Sequence, residues 1–350
     1  MNIVLNLICF IFILGIIVLV HEFGHFIFAK MFGIYVYEFS IGMGPKIISK
    51  KKKDGETEYS IRAIPIGGFV QLAGEEIDDD KDIPKNRKLY SKPAWQRFLV
   101  MFFGAGNNFI LAFLVLFLGA LIWGSPNMDP VINKLTPNYP MIESGINEND
   151  TILAINNHKT TSIDDVKLYL TMVKDGEDIL FKIKDTNGNI KEINVKPKEE
   201  EVNGEKVYRV GIEFDGNVRY GFVRSISYSF KKMGALFKQM VVVLKNLFTG
   251  GLSVSNLSGP VGIYTIVGET REAGLSSLFQ LIALLSLNVG FINLLPFPAF
   301  DGGRILFLII EKIKGSPVKT ETENLVHTIG FILLMLLMLY VTFNDILRLI

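Results

Sequence analysis

The sequence predicts a multi-pass α-helical membrane protein: about four transmembrane helices, membrane-associated β-hairpins and one inserted α/β domain. Three observations lead there. Of 350 residues, 49% are hydrophobic and only 20% are charged, below the roughly 25% charged of an ordinary soluble domain. The apolar residues gather into runs long enough to cross a hydrocarbon core of ~30 Å. Between two of these runs, residues 127–214 change character, with short alternating segments, turn signals and charges of both signs.

The first span is expected over 1–30. From Ile3 to Val20 its only strongly polar side chain is Asn6. It lacks the basic start and small-residue cleavage site of a signal peptide, so a retained helix is expected. Residues 31–94 follow, carrying Lys46, the run Lys50 to Lys53, Lys81, Lys85, Arg87, Lys88 and Lys92. By the positive-inside bias this segment is cytoplasmic. A second span covers 95–123, and just after it the only base is Lys134. That makes 124–274 extracytoplasmic and places both termini outside.

Within the insert, Val131 to Leu135, Thr151 to Ile155, Ile179 to Ile183 and Ile190 to Val195 read as strands. Asn156-Asn157-His158 and Asn187-Gly188 supply turn chemistry, with His158 a surface turn residue. Ser162 caps a helix running to Leu170. Over 218–249, Ile226, Phe230, Met233, Phe237, Met240, Leu244 and Leu247 recur at helical spacing, with lysines opposite. That pattern fits an amphipathic helix lying on the bilayer or one packed on a soluble domain; the first is expected. A third span over 275–311 is broken at Pro296 and Pro298, and a fourth covers 323–349.

Composition narrows the chemistry. Thirty-six basic and 35 acidic residues give a net charge of +1, so nothing points to nucleic acid. A single cysteine, Cys9, excludes an intramolecular disulfide and any metal site of several thiolates. Of the four histidines, two lie in HEFGH, residues 21–25. On a helix His21 and His25 are i and i+4, so their rings can share one metal ion, with Glu22 beside them as acid/base. Ionisable groups inside hydrocarbon demand an internal partner or a function. Two histidines leave a catalytic zinc one protein ligand short. Asp301, in NLLPFPAFDGGR (293–304), is the best candidate for the third. Its prolines free backbone groups at membrane depth, which is tolerated only inside protein or beside a wet cavity. A proline kink with a helix-capping aspartate is the plainer alternative.

Together these motifs resemble the site-2 protease family of intramembrane zinc metalloproteases, in its bacterial RseP-like branch with a PDZ domain. The resemblance runs along essentially the whole chain. It implies one Zn2+ held by His21, His25 and Asp301, with Glu22 as the catalytic acid/base. It also implies substrate contacts at Asn293, Asn108, Gly67, Gly68 and Phe69. The stretches FSIGMGP (39–45) and IPIGGFVQLAGE (64–75) resemble the family's membrane-associated hairpins, whose edges take up substrate as an added strand. Residues 143–166 resemble a PDZ segment. The implied substrates are membrane proteins with short extracytoplasmic ends, such as anti-sigma factors or remnant signal peptides, cut in the cell membrane toward its cytoplasmic side. Two departures stand out: Ala105 replaces the family's proline before Asn108, and one PDZ-like unit is evident where some relatives have two. The rival from another class is a non-proteolytic PDZ adaptor with structural zinc. A structural site is normally closed by four protein ligands, and here three are found beside a well-placed Glu22. An ion transporter would show inverted repeats, and none is seen.

Overall fold

In the computed structural model, residues 2–51, 55–75, 82–174, 176–202 and 205–349 are described. Lys52, Lys53, Lys81 and the acidic run Asp78 to Asp80 lie outside them. The helices are α1 (Asn2–Met31), α2 (Ala94–Trp123), α3 (Pro140–Glu143), α4 (Ile163–Leu170), α5 (Phe222–Thr249), α6 (Pro260–Glu272), α7 (Leu275–Asn293), α8 (Asp301–Lys314) and α9 (Thr320–Leu349). The strands are β1 (Val36–Lys51), β2 (Glu58–Leu72), β3 (Ser125–Pro126), β4 (Ile132–Leu135), β5 (Thr151–Ile155), β6 (His158–Lys159), β7 (Ile179–Lys184), β8 (Ile190–Val195), β9 (Lys198–Val202), β10 (Glu205–Arg209), β11 (Ile212–Phe214) and β12 (Val218–Arg219). The chain forms two compact units, 117–242 and the remainder.

In the larger unit, four helices among the described residues are long and apolar enough to cross a membrane: α1, α2, α7 and α9. Their packing is close because small residues let backbones meet. A Cβ on Gly24 of α1 would fall 1.9 Å from the Phe103 carbonyl oxygen of α2, and one on Gly290 of α7 would fall 3.0 Å from that of Ala105. Phe10, Ile13 and Ile17 of α1 form a buried cluster with Val267 of α6 and Leu281 of α7. Asp345 of α9 is buried, and its Oδ2 accepts the Gly262 N–H at 2.8 Å, satisfying one of the free donors at the start of α6. The sequence reading left α6 unassigned.

The broken span expected over 275–311 resolves into two helices. Pro296 and Pro298 offer no N–H and push their predecessors out of helical geometry, so α7 stops at Asn293 and α8 starts afresh at Asp301. Only α7 belongs to the four spanning helices. The two hairpins expected at 39–45 and 64–75 are instead one sheet made by β1 and β2. Val36 to Ile41 pairs with Gly68 to Leu72 on one side and, from Glu38, with Glu58 to Ile61 on the other. Lys46 to Lys51 then pairs with Glu58 to Arg62. Buried Glu38 locks this curl, accepting from Ser60 and from Arg62 Nη2 at 2.9 Å, with Lys46 Nζ at 3.1 Å.

The smaller unit, the insert, holds a four-stranded sheet in the order β6-β5-β7-β8, with β4 paired to β11 and β9 to β10. Its core is Ile132, Met141, Ile152, Ile155, Val166, Phe181 and neighbours. The expected strands are present, and Ser162 caps α4, its Oγ accepting the Asp165 N–H at 3.1 Å. Asn156 and Asn157 turn the chain with φ of 47° and 65°. The hairpin β9–β10 carries no apolar alternation and was not foreseen. His158 is exposed and stacks on Tyr169 at 4.9 Å. The amphipathic helix α5 packs on the insert. Its lysines pair with the insert, Lys232 with Asp164 at 2.7 Å and Lys238 with buried Asp165 at 3.0 Å. Phe222, Val223, Phe230, Phe237 and Val241 remain exposed along it.

Candidate active site

Helix α1 carries the first half of the site. His21 and His25 are both buried, their ring centroids 4.9 Å apart and nearly perpendicular. The fold of the larger unit brings Asp301 to them from the far side of the proline break. Asp301 Oδ2 stands 3.3 Å from His21 Nε2 and 3.4 Å from His25 Nε2, and the two Nε2 atoms are 3.3 Å apart. Asp301 is the first residue of α8 and does not cap it; Phe300 takes that place with no side-chain bond. The capping alternative therefore fails, and the carboxylate faces the imidazoles.

Three ligand atoms so close need a positive charge among them. Asp301 Oδ2 is buried and accepts no hydrogen bond. All three ligand atoms lie within 4.8 Å of one another. Two imidazole nitrogens and one carboxylate oxygen are the donor set of a catalytic zinc that keeps a fourth position open. The hydrogen bond behind His25 agrees. His25 Nδ1 lies 2.8 Å from the Val100 carbonyl, which accepts its proton and leaves Nε2 bare for a metal.

Asn108 is placed differently from the expectation. It is fully buried and does not line the catalytic cavity; its carboxamide nitrogen is 3.4 Å from His21 Nδ1, while its Oδ1 has no hydrogen-bond partner. A half-turn of the amide exchanges the two atoms, so that Oδ1 accepts from His21 Nδ1–H and frees Nε2. Asn108 lies against His21, and Ser286 Oγ donates to its backbone carbonyl at 2.8 Å. The helix α2 runs unbroken through Ala105.

Glu22 and Asn293 share a cavity of 370 Å³ with the three ligand candidates, Val70, Leu72, Glu75 and Arg304. Gly68 brings β2 against Glu22: a Cβ there would lie 3.7 Å from Glu22 Cγ. Gly67 adopts φ of +84° over Met43, and Phe69 stacks under the Arg62 guanidinium at 4.8 Å. Glu75 and Arg304 form an ion pair at 3.2 Å on the cavity wall. Sequence reasoning missed both, although Arg304 sits one helical turn beyond Asp301 and so had to share its face. It also missed Gly104, where a Cβ would fall 2.3 Å from His25 Nε2.

The same chain matches known proteins along its length. Residues 9–337 match the family model described as peptidase family M50. The zinc metalloprotease RasP of Bacillus licheniformis is 35% identical, with 98% of this chain and 99% of the relative covered. The regulator of sigma-W protease RasP of Bacillus subtilis is 34% identical, over 98% and 99%. The chain belongs to peptidase family M50, the site-2 proteases, and is a zinc metallopeptidase of the membrane.

Proposed function

We propose that His21, His25 and Asp301 hold the zinc ion and that Glu22 is the proton carrier in hydrolysis of a peptide bond within the transmembrane segment of a membrane protein. The observation that carries this reading is the convergence of those four side chains on one cavity in a bundle of membrane-length helices. When bound, zinc acidifies a water molecule and polarises the scissile carbonyl. Glu22 takes the water proton and delivers it to the leaving amine. Glu22 does so from the cavity lining.

A helical substrate hides its amides in its own hydrogen bonds and must be unwound first. The segment Gly68 to Leu72 suits that task. It pairs with Val36 to Ile41 on one side and with no other strand among the described residues, and its Val70 and Leu72 line the catalytic cavity. An unwound segment added to this edge recovers main-chain hydrogen bonds beside Glu22. Asn293 lines the cavity wall, and in this reading it takes a substrate carbonyl.

Asp301→Ala tests the metal assignment. It is expected to lower zinc content of the purified protein and abolish cleavage of a model membrane substrate, while alanine at Asp78, Asp79 or Asp80 leaves both at the parental level. Equal zinc in Asp301→Ala and parent would place the third ligand elsewhere.

The orientation we favour follows the lysine bias: active site toward the cytoplasm, insert outside. Substrates are then membrane proteins already trimmed outside, such as anti-sigma factors, in keeping with the Bacillus subtilis relative's name as a regulator of sigma-W, or remnant signal peptides. The insert is a PDZ-like domain. Its groove, lined by Leu170 at the end of α4, Val173 beyond it, Val210, and Ile212 at the start of β11, is apolar enough to seat an extended peptide. We assign it a steric role, since groove affinities for peptides are modest once ordering is counted. Replacing 129–213 with a short linker is expected to let substrates with folded ectodomains be cut, with little change for short ones. Slower cleavage of short substrates by the same deletion would instead show recruitment. The exposed aromatic face of α5 rests on the bilayer in this scheme.

A further inference from the structure

The loop from Leu294 to Phe300 delivers Asp301 to the histidines, and it does so through an unfavourable backbone. Ala299 has φ of +83°, in the left-handed region where the other described non-glycine residues are all asparagines. Asparagine tolerates that region and alanine does not. Such strain persists only where the surroundings enforce it.

The surroundings here are α9. The Ala299 N–H donates to His327 Nδ1 at 3.0 Å, across 28 residues of chain. Three residues further along α9, Gly330 backs directly onto Pro298: a Cβ there would fall 2.4 Å from Pro298 Cβ and 2.7 Å from its carbonyl oxygen. The His327 ring also meets Phe307 of α8, centroids 5.8 Å apart. One helix thus grips two successive loop residues and the helix that Asp301 begins. His327 is held by a directed hydrogen bond two residues ahead of Asp301.

We propose that His327 is a positioning residue for the metal centre: by accepting the Ala299 N–H it locks the left-handed break that aims the Asp301 carboxylate at His21 and His25. It touches neither substrate nor metal. The proposal rests on the reading of Asp301 as a ligand, and it gives the fourth span a part in the chemistry beyond anchorage. Only an acceptor at the Nδ1 position serves. Asparagine supplies one, its Oδ1 standing where Nδ1 stands. Glutamine is one carbon longer and carries its carboxamide to the Nε2 position, while alanine has no acceptor at all.

The test uses the full chain in detergent, as His327→Ala, His327→Gln and His327→Asn. Zinc retention against graded chelator, thermal unfolding of the metal-stripped protein, and kcat and KM on a model membrane substrate are measured for each. His327→Ala and His327→Gln are expected to hold zinc about 10–100-fold less tightly, as loss of an outer-shell partner does. Their kcat should fall while KM stays near the parent's. His327→Asn should restore both toward the parent. Adding Ala299→Gly to His327→Ala should recover part of the zinc affinity, because glycine adopts positive φ without strain. Parental zinc retention in His327→Ala overturns the proposal, as does His327→Asn behaving no better than His327→Ala. Asp301→Ala run alongside separates the two claims. If it strips zinc while His327→Ala does not, only the His327 assignment fails; if it keeps zinc, the ligand assignment beneath it fails.

Discussion

Glu22→Gln is expected to reduce cleavage of a membrane substrate by about 10²–10⁴-fold, the range for loss of a general base, while leaving zinc content unchanged. The substitution keeps the shape of the side chain and removes its ability to take a proton. It leaves the three metal-facing atoms of His21, His25 and Asp301 in place. Glu22 shares the cavity with them yet stands outside the group whose ligand atoms converge. Metal analysis and a cleavage assay on the same preparation decide the matter. Full cleavage by the Gln variant would sink the protease mechanism. Loss of zinc together with activity would make Glu22 a ligand.

How much of this was legible beforehand depends on whether the signal is local. His21, Glu22 and His25 are set by helical spacing alone, and Asp301 is marked by the prolines that break the chain just before it. The partners of those residues are not local. Val100, Gly104 and Asn108 reach the histidines across more than seventy positions, as the separation of 75 between His25 and Val100 shows. Nothing in the neighbourhood of Gly104 distinguishes it from Gly106. The sheet of β1 and β2 illustrates the same limit. The family resemblance implies hairpins at 39–45 and 64–75, but the curl that gives Val36 to Ile41 two neighbours depends on Glu38 meeting Ser60, Arg62 and Lys46. For α5, the sequence showed an apolar face and a lysine face; only the fold shows that Asp164 and Asp165 answer the lysines.

Gly104→Ala is the second substitution expected to have a large effect, and it isolates packing from helix propensity. The His25 ring lies along α2, held at Nδ1 by the Val100 carbonyl one turn before Gly104. A Cβ at 104 would stand 2.3 Å from His25 Nε2 and 2.4 Å from its Cε1. The ring cannot yield without releasing Val100 or turning Nε2 away from Asp301, because its backbone is fixed where Gly24 meets Phe103. Zinc retention is therefore expected to fall by at least the 10–100-fold typical of a disturbed outer shell, with cleavage falling alongside. Gly106→Ala is the control. It gains the same ~1 kcal/mol of helix propensity, but its Cβ would meet only the rings of Phe103 and Phe102, at 3.2 and 3.4 Å. Neither ring belongs to the candidate site, so Gly106→Ala should keep its zinc. Circular dichroism of both variants checks that α2 survives. Parental zinc retention in Gly104→Ala would show that His25 is not pressed against α2 as the structure places it.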